Sequence, residues 1–312
     1  MRLHIADAPW ASIPLCCVIL TFGLVVSGCQ VPNVEPFANA TLALRRAIIE
    51  SGAVTAETMA TVPKRSTNTK ELMDLWQDRV RLMDVLLGYS DALAGVAAAG
   101  AAAQQTVQTL GDSIMSLADI VPSTGAAARE GVQLAQLLIR TGIQIKAYHD
   151  LDAAISAAHP ALTEVARYLQ ADLDDLQRLY RNASQDREFA IDETYGKHEA
   201  QRDQLLARRD RLRDTMFGTF NDINVEQVKK IEELIAYMEP EHQEYVQQRA
   251  TLLRERTLTS QMFNKAKQGI RAWVQAHEEL KLAMAQKRQP NVRLILSTAQ
   301  EIKDAVDRIK QR

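Results

Sequence analysis

The chain has 312 residues, of which 46% are hydrophobic and 24% charged, and 37 Lys and Arg against 39 Asp and Glu give a net charge of −2. This balance excludes a strongly basic surface, so bulk electrostatics indicates neither nucleic acid nor an anionic membrane surface as a partner. Abundant Ala, Leu, Gln, Glu and Arg, few Gly and Pro, and no convincing alternating strand pattern predict an all-α protein.

The N-terminal segment has the three parts of a secretory signal. Arg2 gives a positive start, residues 13–26 form an apolar run, and Ser27 and Gly28 are the small residues that a signal peptidase needs. The alternative is an uncleaved transmembrane anchor. As a helix, residues 11–28 would extend ~27 Å, slightly less than the hydrocarbon core of a bilayer. The position of the small residues, where the apolar run ends, favours cleavage.

The residues Val26-Ser27-Gly28-Cys29 complete this signal, and they resemble the lipobox of bacterial lipoproteins. The resemblance implies cleavage between Gly28 and Cys29, and attachment of diacylglycerol and a further acyl chain, such as palmitate, to Cys29. Two or three acyl chains hold a protein firmly to a membrane. In Gram-negative lipoproteins an aspartate after the cysteine favours inner-membrane retention, so Gln30 implies transport to the outer membrane.

Cysteine use agrees with this interpretation. The other two cysteines, Cys16 and Cys17, lie in the segment that cleavage would remove. The mature chain would then have no disulfide in an oxidising compartment, and its stability would come from packing.

Four regions are expected along the chain: a signal peptide (1–28), a tether (29–36), an N-terminal helical bundle region (37–159), and a long helical hairpin with a short C-terminal helix (160–312). In the bundle region the pattern predicts a first helix from Phe37 to Ser51 that Gly52 ends. A loop follows at 61–69.

A second helix is expected from Thr69 to a break at Pro122, and its apolar stripe includes Trp76 and Met83. A third is expected over 126–158, with Pro160 at a junction or in the first turn of a fourth.

The segment 91–103 consists almost entirely of small residues. One interpretation is a membrane-inserting tip, as in helical pore-forming toxins. The other is a tight helix crossing at Gly95 and Gly100, which we favour because a bilayer span needs ~20 apolar residues.

Apolar residues in the C-terminal half recur at three-four spacing over 162–220 and, more regularly, over 228–284. They predict two long helices in an antiparallel, coiled-coil-like hairpin that turns near 221–224, with a possible kink at Pro240. Pro290 and Asn291 should precede a short terminal helix.

Five polar residues interrupt the second seam: His242, Arg249, Arg256, Thr259 and His277. The two histidines and two arginines could specify register or partner choice, because polar seam residues cost stability. The interpretation we favour from sequence is that they lie at the solvated edge of a wider bundle.

No catalytic constellation is present in the sequence. Glu239 and His242 have the Glu-x-x-His spacing of di-iron bundles, but such a site needs a second pair and two more carboxylates. His277-Glu278 lacks the second histidine of a zinc-protease helix. No catalytic residue, metal ligand or cofactor is therefore predicted, and an enzyme is not expected.

Together these patterns predict an elongated all-α lipoprotein on the periplasmic face of the outer membrane. Its expected role is that of a scaffold that binds an envelope protein or a second copy of itself, without a small-molecule substrate. The alternatives are a membrane-active, pore-forming protein that inserts segment 91–103, and a metal-binding bundle enzyme.

Overall fold

A computed structural model describes residues 33–60, 67–99, 103–120, 128–146, 151–216 and 222–311. These ranges contain helices and no strand, which confirms the predicted all-α helical bundle. The helices are α1 (Glu35–Ala60), α2 (Thr67–Ala99), α3 (Ala103–Ile120), α4 (Ala128–Lys146), α5 (Leu151–Met216), α6 (Asp222–Gln286) and α7 (Arg293–Lys310).

Helix α1 is longer than predicted at both ends. It begins at Glu35, after a fully buried Val34, so the end of the expected tether already belongs to the folded body. The prediction that Gly52 ends the helix is wrong. Gly52 is buried inside α1, and a Cβ atom there would fall on the indole of Trp76 in α2. The glycine permits close packing of two helices.

Two further predicted helix boundaries are wrong. The region expected as one helix from Thr69 forms α2 and α3, and the region 126–158 is divided between α4 and α5. Pro160 lies inside α5 and faces solvent. Its neighbours Ala158 and Ala161 are fully buried, and we attribute the continuity of the helix to this packing, which offsets the hydrogen bond that proline removes.

A tight helix crossing is present, but not at the predicted Gly95. Gly95 is exposed, and Gly100 lies outside the described residues. The close approach joins α3 to α4, where a Cβ added at Gly111 or at Gly142 would lie 2.7 Å from the carbonyl oxygen of the other glycine. The absence of side chains at these two positions lets the backbones touch.

Helices α5 and α6 lie antiparallel. Residues with higher sequence numbers on α6 contact residues with lower sequence numbers on α5. Glu199 contacts His242, Ser184 accepts from Arg256, and Asp174 accepts from Lys267. Each helix is nearly 100 Å long at 1.5 Å per residue. Pro240 lies within α6, on its exposed side.

The hydrophobic core occupies only part of these long helices. Among the described residues it includes none of α5 beyond Ala183 and none of α6 before Met262. We call residues 184–216 of α5 and 222–256 of α6 the arm, and the remaining helices and helix segments the bundle. The predicted boundary between 159 and 160 falls inside α5.

Aromatic side chains at the centre of the bundle show how its helices are oriented. The indole of Trp273 in α6 lies between Phe37 of α1 and Tyr89 of α2, with ring centroids 5.6 and 6.4 Å away. Further along α1, Leu44 packs on Gly269. Helix α1 therefore runs antiparallel to α6, and its first residues lie at the end of the bundle that is remote from the arm.

Helix α7 completes the bundle as predicted after Pro290 and Asn291. It packs on α1 and α6 through one buried face, and Ile295 and Ile302 on this face are completely inaccessible.

Candidate functional site in the arm and the core

The arm combines a thin apolar seam with many polar contacts. Val228, Ile231, Met238 and Leu252 of α6 are buried there, but on α5 no described side chain beyond Ile191 is buried. A two-helix arm has only one shared face, so most of its surface meets water. Charged groups can consequently lie on or beside the seam with part of their hydration retained.

Glu188 is the central acceptor of this seam. Its Oε1 accepts from Arg249 Nη1 at 2.6 Å, and its Oε2 lies 2.6 Å from Arg256 Nη1. Arg256 also donates to the hydroxyl and the carbonyl oxygen of Ser184. The hydrogen bond from Arg256, with the positive charge of both arginines, lowers the pKa of Glu188 below its usual value. One carboxylate thus joins two turns of α6 to α5.

Closer to the tip of the arm, the two residues with Glu-x-x-His spacing both contact side chains of α5. Glu239 accepts from Arg202 at 3.1 Å, and His242 Nδ1 lies 2.9 Å from Glu199 Oε2. No group of three or more possible metal ligands occurs among the described residues. Each member of the candidate pair therefore serves an interhelical contact.

The interpretation favoured from sequence for the two histidines and two arginines of the seam is wrong for His277, which is completely buried. The other three, His242, Arg249 and Arg256, are partly exposed as expected, but they lie in a pair of helices and bind carboxylates of α5. Periodicity located these three at the seam, but it could not show their acidic partners on the other helix.

The second unusual site is a cluster of polar groups within the bundle core. His277 Nε2 of α6 lies 2.7 Å from Tyr89 Oη of α2, and His277 Nδ1 lies 3.1 Å from His159 Nδ1 of α5. The two imidazole rings lie edge to edge and nearly parallel, with their centroids 5.4 Å apart and an interplanar angle of 6°. We call His159 and His277 the histidine pair.

This pair connects the core with the surface. His159 is partly exposed, and its Nε2 lies 2.7 Å from Oε2 of Glu278, which is more exposed. Burial lowers the pKa of His277 to about 3, with smaller contributions from His159 and Lys281. Burial also lowers the pKa of His159, although the charge of Glu278 opposes this effect.

A second polar contact borders the pair. Trp273 Nε1 donates to Thr41 Oγ1 at 2.9 Å, and Ser90 donates to the same oxygen. Burial raises the pKa of Tyr89 well above its ordinary value, so this phenol stays protonated. The cluster joins α1, α2, α5 and α6, and it holds a hydrogen-bonded arrangement of neutral groups.

The lipidation residue Cys29 and the cleavage residue Gly28 lie outside the described residues. The small-residue segment 91–103 is described in part: Leu93 is fully buried and Ala97 packs against the core. Among the described helices none combines the length and the apolarity that crossing a membrane requires.

Comparison with known proteins gives no relative. No protein-family description matches the chain, and neither a curated protein nor a solved structure matches it significantly.

Proposed function

We propose that the protein is a non-catalytic scaffold of the bacterial envelope, held to the outer membrane by lipid on Cys29, which presents its arm to a protein partner. One observation carries this proposal. The first described residues of the chain lie at the end of the bundle that is remote from the arm tip, where α5 ends at Met216 and α6 begins at Asp222. Phe37 packs on Trp273 and His277, and α6 extends about 80 Å from there to Asp222 at 1.5 Å per residue.

Chain length is compatible with an anchor at that end. Asn33 follows Cys29 by four positions, and an extended chain spans at most ~3.5 Å per residue. A lipid on Cys29 would therefore hold the protein near the end of the bundle, and the arm would extend away from it.

The surface of the arm supports a role in binding. Exposed large apolar side chains include Phe189, Tyr237 and Leu253, of which Tyr237 is 85% exposed and Phe189 71%. Aromatic residues are enriched in protein interfaces, where they provide contact area at low entropic cost.

The anchor is tested by expressing the wild type beside Cys29→Ser in a Gram-negative host. We expect the wild type to lose residues 1–28, to gain acyl mass and to float with outer membranes, and we expect all three results to be abolished by the serine. An unchanged full-length mass in both proteins would refute lipidation.

The partner-binding role needs a separate test. A photo-crosslinking amino acid at Tyr237 should capture an envelope protein or a second copy, whereas the same group at the exposed Val132 of α4 should not. Equal capture from both positions would argue against the arm as the binding surface. Leakage of liposomes caused by the delipidated protein would instead favour the pore-forming alternative.

A further inference from the structure

The histidine pair has no role in a scaffold that acts through its arm, yet it occupies the junction of four helices. Phe37 and Thr41 of α1 are uncharged neighbours of the aromatic cluster. The titratable or charged groups near the pair are Tyr89 from α2, together with Glu278 and Lys281 from α6.

We propose that the histidine pair is an acid-responsive contact, in which one added proton reverses the direction of its hydrogen bonds and a second separates α5 from α6.

The neutral arrangement follows from the position of Glu278. Its Oε2 lies 2.7 Å from His159 Nε2 without completing a hydrogen bond, and a negative charge there favours the proton of His159 on Nε2, which leaves Nδ1 as an acceptor. His277 must then donate from Nδ1, and its Nε2 accepts from the hydroxyl of Tyr89. Both hydrogen bonds of His277 then join a donor to an acceptor.

One added proton can be held by the same groups. It belongs on His159, which is partly exposed and lies beside the negative charge of Glu278. His159 then donates from Nδ1, so His277 must accept there and hold its own proton on Nε2. Tyr89 now accepts from His277, and its buried hydroxyl proton loses the acceptor it had, so this state is less favourable than the neutral one. The net change is one proton taken from solvent.

A second added proton cannot be held in this geometry. His277 would carry N–H groups on both nitrogens, and two Nδ1–H groups would face each other across 3.1 Å. Two cations would lie edge to edge near Lys281, and the inner one would be buried without a carboxylate of its own. The rings must separate, and the packing of α5 on α6 beside the histidine pair is lost with them.

The first test measures the stability of the full chain against pH by chemical denaturation. A histidine with pKa about 3 when folded and 6.5 when unfolded raises the unfolded-to-folded ratio roughly 20-fold between pH 7 and pH 5. We expect this rise in the wild type and in His198→Phe, which changes an exposed histidine of the arm. His277→Phe should lose most of it. The same rise in His277→Phe as in the wild type would overturn the proposal.

The second test needs no core variant and therefore remains decisive if His277→Phe fails to fold. In ¹⁵N-histidine spectra of the folded wild type, we expect the proton of His277 to move from Nδ1 to Nε2 as His159 becomes doubly protonated. Both rings becoming cationic near pH 6.5 while the fold persists would refute it.

Discussion

Helices α5 and α6 run through both the arm and the bundle, but their surroundings differ between the two regions. In the bundle, α5 and α6 are enclosed by other helices, and His277 and Leu280 are completely buried. In the arm the helices have only each other, and Arg249 binds Glu188 across a seam that water can reach.

The number of neighbours therefore determines which groups a seam position can hold. In the arm, Arg249 keeps part of its hydration and lies 2.6 Å from a carboxylate oxygen of Glu188. His277 in the bundle is completely inaccessible to water, so burial lowers its pKa and the ring stays neutral. The two regions should differ in their response to cavities, added methyl groups, acid and salt.

The largest difference between the bundle and the arm is expected when the same substitution creates a cavity in each region. Helix α6 offers a suitable isoleucine in both. Ile270 lies in the bundle and Ile231 in the arm, and they are 3% and 5% exposed. We expect Ile270→Ala to lower the free energy of unfolding by about 4 kcal/mol and Ile231→Ala by about 2 kcal/mol, because the two-helix site can collapse or admit water. Chemical denaturation measures both values, and an equal or larger loss from Ile231→Ala would contradict the comparison.

A methyl group added at two glycines should act in opposite directions. Gly52→Ala would place Cβ on the Trp76 ring, and we expect a loss of about 2–3 kcal/mol because the core must shift. At Gly88, in α2, an added Cβ meets nothing within 4 Å. Gly88→Ala should instead stabilise the protein by about 0.5–1 kcal/mol through helix propensity. Thermal unfolding of both variants gives the signs directly.

Acid should affect the bundle before the arm. The pKa of His277 is lowered on folding, so its contribution is fully present above pH 6.5 and is lost as the pH falls towards 3. At pH 5 this loss is about 2 kcal/mol. The pKa values of Glu188 and Glu239 are also lowered, but their contributions begin to fall only near pH 4.5.

Hydrogen exchange followed from pH 7 to pH 4.5 separates the two regions. We expect protection to decrease around 155–162 and 270–280 while contacts of the arm seam persist. Simultaneous loss of protection in both regions would show that the histidines do not determine which region opens first as the pH falls.

Sequence predicts most of the architecture and little of the core site. Composition and three-four spacing predict the helical class and the terminal helix α7. They fail at Gly52 and Pro160, where tertiary packing overrides local signals that usually end a helix. The contact of His277 with Tyr89 joins residues 188 positions apart, and periodicity contains no information on such pairing.

The smallest effect is expected from the arm's central carboxylate. Glu188→Gln keeps the shape of the side chain but removes the charge that two arginines share, and we expect a loss of about 1 kcal/mol, since the site is partly exposed. The exposed Glu193 of the same helix provides the control, and Glu193→Gln should change stability by less than about 0.5 kcal/mol. Raising the salt concentration should reduce the difference between wild type and Glu188→Gln, because screening weakens the charge interactions that the variant lacks. A difference that does not depend on salt would mean that Glu188 acts through packing, and the contrast between a charged arm and an apolar bundle would then lose its electrostatic basis.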